Sequence, residues 1–136
     1  MKFEGDVSEK SLEALEGISL GDGSDAPTDL VRRCIKLNKV PLKTFTVDDL
    51  RLMIGQQIGL RYLIPIAIEL LKQDLFVEAN YFPGDLLKNV LAVNNYFWDN
   101  NKDLWKQLDE LIINRVEEIK QAKIPMSKFY GAKQSN

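Results

Sequence analysis

Histidine does not occur in this chain, and cysteine occurs once, at Cys34. Together these absences remove most routes to an active site. There can be no Ser–His or Cys–His nucleophile pair, no imidazole general base and no histidine-ligated metal. A lone cysteine excludes an internal disulfide and fits a reducing compartment. Any remaining chemistry would fall to carboxylates and glycine-rich loops. Gly21-Asp22-Gly23-Ser24-Asp25-Ala26 has the glycine spacing of a dinucleotide fingerprint. No apolar strand precedes it, however, and Pro27 disrupts the helix start that such a motif requires. Asp22 and Asp25 also lack the twelfth-position glutamate of an EF-hand loop. Asp48 and Asp49 are adjacent carboxylates, but neighbours on a helix point about 100° apart and are not expected to converge. Their position in a first helical turn accounts for them. No cofactor and no metal are expected.

The other charged residues read as surfaces. Arg32, Arg33, Lys36, Lys39 and Lys43 form a basic run without interleaved aromatics, expected to be a solvated face paired with the acidic N-terminal segment. Arg51, Arg61 and Arg115 lie near apolar positions and are expected to be ion-paired. Asp103, Glu110 and Glu117 are spaced by seven, which on one continuous helix makes a stripe opposite the core face, with Ile113 on its flank. An acidic ridge with an apolar neighbour is a candidate partner surface. The alternative acidic surface is Glu9, Glu13 and Glu16. Tyr96, Phe97, Trp98 and Trp105 are expected to form an aromatic core cluster.

These residues need elements to position them, and the periodicity is helical almost throughout. The chain has 136 residues, 45% apolar and 28% charged, with a net charge of −2. That is one domain's worth of chain, able to bury a core without staples. Its charge argues against direct nucleic-acid binding. Residues 1–27 hold two lysines against seven acids, a net of −5. The acidic Met1–Asp6 start lacks the apolar stretch of a secretory signal, and the longest apolar run, Leu63–Ile68, is far short of a membrane span. The chain therefore reads as cytoplasmic, with no membrane association.

Ser11, Thr28 and Thr46 are expected helix caps. The stretch Ile58–Leu71 is apolar on nearly every side and reads as a buried central helix, with Pro65 either in its first turn, the preferred reading, or kinking a longer helix. Pro83-Gly84 suits a type II turn, after which Asp85 is expected to cap a helix. The last helix is expected to run unbroken from Lys102 to Ala122, and residues 123–136 to be a frayed tail. The expected fold is all-α, one helical bundle of five to seven helices spanning 1–136. Its core would contain Leu63, Ile66, Ala67, Leu70, Leu87, Val90, Leu108, Leu111 and Ile112. Phe76–Tyr81 is the one stretch that could be extended, and one strand makes no sheet.

From the residues alone, this is a helical binding protein with no visible catalytic constellation. A resemblance goes further. Ser11–Glu16, Pro41-Leu42, Phe45–Gln56 (FTVDDLRLMIGQ), Leu63–Leu71 (LIPIAIELL), Tyr81–Leu87 (YFPGDLL) and Phe97-Trp98 together resemble the bacterial contact-dependent growth inhibition (CDI) immunity proteins, CdiI. The resemblance implies a protein that binds and neutralises the C-terminal toxin domain of a cognate CdiA, often a nuclease, as a 1:1 complex. It carries over no toxin-binding residue: Thr46, Pro83, Gly84, Asp85 and Trp98 within these blocks each have a structural explanation. The alternative is a helical adaptor or regulatory subunit with an unrelated partner. A carboxylate-dependent enzyme is a distant third.

Overall fold

Helix starts follow the caps in the computed structural model, which describes residues 7–134, with side chains to residue 131. Met1–Asp6, the acidic start, and the final two residues lie outside the described residues. Ser11 Oγ accepts from Ala14 N at 3.1 Å and opens α1 (Leu12–Glu16). Thr28 Oγ1 accepts from Val31 N at 3.1 Å and opens α2 (Asp29–Leu37). Thr46 opens α3 (Val47–Gly55) with a reciprocal pair: its hydroxyl accepts from Asp49 N, and Asp49 accepts from Thr46 N at 2.9 Å. Each bond satisfies a backbone donor that the helix itself cannot use.

The buried helix is α4 (Leu60–Gln73). Gly59, at φ 68°, sets its start, and Tyr62 and Leu63 both donate to the Gly59 carbonyl. A side chain at Gly59 would sit 2.6 Å from Leu12 Cδ1, so α1 packs directly on this glycine. This start corrects the expectation for Pro65, which is the sixth residue of α4 and not in its first turn. Leu60 is buried, and its burial draws the helix a turn earlier than proline alone would. Leu63, Ile64, Ile66, Ala67, Ile68 and Leu71 form the centre of one contiguous core, and Leu70 and Leu111 are only partly buried against it.

After α4 the chain loops through residues 74–84 and enters α5 (Asp85–Leu91), α6 (Asn95–Asp99) and α7 (Lys102–Ile112). A 3-10 turn, Ile113–Arg115, then separates α7 from α8 (Val116–Gln121), and α9 (Ser127–Gln134) ends the described chain. Helix α3 packs on α5, α4 on α7, and α6 on α9. The described residues form nine α-helices and no strand, more helices than expected. Phe76–Tyr81 stays irregular, with a single bridge between Glu78 and Pro83.

Two further expectations fail here. The last helix is not continuous to Ala122, because of the break at Ile113–Arg115. The segment from 123 is not frayed through its described length: Ile124 and Phe129 are buried, the Trp105 indole N–H donates to the Phe129 carbonyl at 2.9 Å, and Tyr130 donates to Asp109 at 3.0 Å. Trp105 stacks on Phe129 at 5.0 Å, and Trp98 meets the same ring edge-on at 5.3 Å. The polar composition of the tail hid two aromatic anchors.

Phe129→Ala should therefore cost about 3–5 kcal/mol, the usual range for emptying a buried aromatic site. Urea denaturation would show it as a lowered midpoint. An unchanged midpoint would mean that α9 does not dock.

Candidate partner interface

Helices α2 and α3 are joined by an ion-pair network. Arg33 donates to Asp48 Oδ2 at 2.9 Å and to Asp49 Oδ1 at 2.8 Å, while Arg51 Nε donates to Asp48 Oδ1 at 2.6 Å. The adjacent carboxylates thus converge after all, on one guanidinium. The capping box explains it: Asp49 turns back to Thr46, which leaves its second oxygen facing α2. Hydrogen bonding to Asp49 raises the Arg33 pKa against the opposing effect of burial. Burial pushes the Asp49 carboxyl up, but Thr46 and Arg33 outweigh it and hold it below the usual range. These carboxylates are committed to structure. Arg33 therefore leaves the solvated basic face, whereas Lys43 does pair with the N-terminal acid Glu9, at 2.9 Å.

Asp85 departs most from its expected role. It is the first residue of α5, not its cap; Gly84 takes the cap position at φ 92°, ψ 4°. Asp85 N donates to the Phe82 carbonyl at 3.1 Å, which closes the Pro83-Gly84 turn. The Asp85 carboxylate, 3% exposed, points back into the loop and accepts from the backbone N–H groups of Ala79 (2.7 Å), Asn80 (3.0 Å) and Tyr81 (2.9 Å). Burial raises its pKa, and the N–H groups of Ala79, Tyr81, Asn80 and Phe82 together bring it below the ordinary value.

The loop fixed in this way presents Tyr81, which stands over Arg51 with the guanidinium 4.7 Å from the ring centroid. Phe82 lies 5.6 Å from Lys88 Nζ. Between Tyr81, α2 and α3 is a cleft of about 320 Å3, lined by Leu30, Arg33, Arg51, Leu52, Gln56, Tyr81 and Asn89, among others. Asn89 of α5 donates to the Arg51 carbonyl at 2.8 Å and braces its wall. The sequence reading did not single out this cleft. Its available signal was the Tyr81-Phe82 pair immediately before a tight turn.

The acidic candidates separate into two groups. Asp103, Glu110, Ile113 and Glu117 are all exposed, but Asp103 and Glu110 belong to α7 and Glu117 to α8. The break between those helices ends the seven-residue register of the stripe. Glu117 lies 3.8 Å from Lys120, and the neighbouring Glu118 is held by both Arg115 Nε and Nη2. Across residues 102–123, five acids face five bases. Within the segment 7–29 six acids stand against Lys10 alone, and two of the six pair with bases beyond it, Glu9 with Lys43 and Asp29 with Arg32. Glu9 and Glu16 are exposed and Glu13 half-buried, and Ile18 and Leu20 are exposed on the same stretch. Among the aromatics, Phe97 and Trp98 are buried, whereas Tyr96 is 80% exposed and leaves the expected cluster. Its place is taken by Phe129 and Tyr130. Asn94 caps α6, accepting from Phe97 N at 2.7 Å; Trp98 packs on Phe129 of α9, while Tyr96 is left facing solvent.

Among the described residues, no group of three or more His, Cys, Asp or Glu is placed to hold a metal ion. No helix among them is long and apolar enough to cross a membrane. The described residues form an all-α protein that exposes the acids of segment 7–29 and the rings of Tyr81 and Tyr96. Residues 14–108 match the family model of the CDI immunity proteins, and the chain belongs to that family. Its role is immunity toward a CDI toxin. Comparison with curated proteins and with solved structures gives no match.

Asp85→Ala should destabilise the fold by about 1–3 kcal/mol, because three part-buried backbone donors lose a charged acceptor. The sign of the pH effect follows from a depressed native pKa. Stabilisation by the carboxylate is complete above the unfolded value, near 3.8, and is lost as pH falls below it. The stability gap between wild type and Asp85→Asn should therefore be widest at neutral pH and narrow as pH falls below about 4. Urea titrations across that range measure it; a gap independent of pH would contradict this role for Asp85.

Proposed function

We propose that the protein is a cytoplasmic, non-enzymatic inhibitor that binds the C-terminal toxin domain of a cognate CdiA in a 1:1 complex. It blocks the toxin's active site or substrate path, and the toxin is a nuclease. Family membership carries the immunity role; the acidic segment 7–29 supports the choice of toxin. A nuclease must present a basic groove to nucleic acid, and an acidic inhibitor surface competes for that groove. Of the two acidic surfaces, Glu9, Glu13 and Glu16 suit the task better than Asp103, Glu110 and Glu117. Bases interleave with the second set in sequence; in the first, Lys10 is the one base of the segment and Lys43 pairs with Glu9, while Glu13 and Glu16 form no ion pair among the described residues.

On this reading a toxin domain should be encoded beside this gene, and that domain is the reagent for the test. Mixed with the purified protein, it should form a 1:1 complex and lose nuclease activity. Glu13→Lys with Glu16→Lys should slow association about tenfold at low salt and flatten the salt dependence, since exposed charges act mainly on encounter. Glu110→Lys with Glu117→Lys should change the rate less. If the second pair has the larger effect, the docking face is α7–α8. If neither does, steering by acids is not the mechanism.

A further inference from the structure

We propose that the cleft between α2, α3 and the Tyr81 loop anchors the toxin domain by taking one uncharged apolar or aromatic side chain from it. The inference rests on the immunity reading above and adds where the complex gains its affinity.

Charge selects the occupant. The charges that line the cleft are already matched: Arg33 by Asp48 and Asp49, Arg51 by Asp48, and Asp29 by Arg32. A charged side chain entering here would lose its hydration and find its counter-charges in use. An uncharged side chain pays no such penalty and meets apolar walls, Leu30 (44% exposed) and Tyr81 (69% exposed). The volume, about 320 Å3, admits a large side chain but not a folded segment.

Rigidity supports the same reading. The Tyr81 backbone is tied to the buried Asp85, its ring rests on Arg51, and the Arg51 carbonyl is tied to Asn89. A wall ordered before binding loses little entropy on binding. Tyrosine and arginine are also the residues most often found at the energetic centre of protein interfaces. Finally, the acidic segment ends at Asp29, which lines the cleft next to Leu30. A basic partner drawn to that segment is delivered to the anchor.

The test measures binding of the neighbouring toxin domain to the full chain. Tyr81→Ala and Leu30→Ala should each weaken binding roughly tenfold or more, through faster dissociation, with association little changed. Tyr81→Phe should retain binding, and Leu30→Asp should lose more than Leu30→Ala. Both positions are exposed, so circular dichroism and thermal midpoints should match wild type. Wild-type binding with undiminished affinity in Tyr81→Ala and Leu30→Ala overturns the cleft and leaves the immunity reading standing. Failure of the wild-type chain to bind that toxin overturns the immunity reading, and the anchor with it.

Discussion

A carboxylate removed from water must be given hydrogen-bond donors, and Asp85 obtains them from three consecutive backbone amides. That requirement organises the middle of the molecule. It folds the 79–82 loop back over the start of α5 and leaves Gly84 in a left-handed conformation. Gly84 is then so tightly enclosed that a β-carbon would lie 2.9 Å from Ile124 and 3.2 Å from Phe76. Ile124 leads into α9, so the packing of the C-terminal segment is tied to the same turn. Phe76 in turn carries Arg115 at 5.3 Å from its ring, at the break between α7 and α8. One buried charge thus links the loop, the turn and the last third of the chain.

A second network does for α2 what Asp85 does for the loop. Helix α2 has few buried residues of its own, Cys34, Ile35 and Leu37. Its position against α3 depends on Arg33 reaching two carboxylates, which are only partly exposed. Pairs of this kind hold geometry better than they add stability. Geometry is what the cleft needs, since Leu30 on α2 and Arg51 on α3 must stand at a fixed separation from Tyr81.

Local signals in the sequence were read well where the physics is local. Ser11, Thr28 and Thr46 cap as expected because capping involves residues only three apart. The all-α class followed from periodicity, and the apolar run around Leu63–Leu71 could only be buried. What escaped were interactions whose partners are distant or whose angles are fine. Asp85 looks like a cap in sequence, and only the left-handed Gly84 shifts it one position into the helix. Asp48 and Asp49 diverge on an ideal helix, and only the capping box turns one of them toward Arg33. The break at Ile113–Arg115 has no proline or glycine to announce it. Phe129 and Tyr130 sit in a polar tail, and their burial depends on Trp98, Trp105 and Asp109 meeting them across the fold. The acidic candidates were visible as residue types, but whether they keep their field depends on which bases stand beside them in space.

An inhibitor of this size has to reconcile speed of capture with tightness. Exposed carboxylates raise the encounter rate and lose their effect with salt, so they cannot by themselves hold a complex. Tightness needs apolar surface that is desolvated on contact and already ordered. On the proposed function, the N-terminal segment and the cleft would divide these demands between them. The first is rich in acids that make few internal pairs. The second has its charges internally cancelled and its aromatic wall fixed by Asp85. Because Asp29 and Leu30 are consecutive, the two surfaces meet without a gap. The carboxylate that stabilises the fold and the tyrosine that faces outward are also neighbours through one hydrogen bond. Loss of Asp85 would therefore loosen the Tyr81 wall of the cleft even in molecules that remain folded.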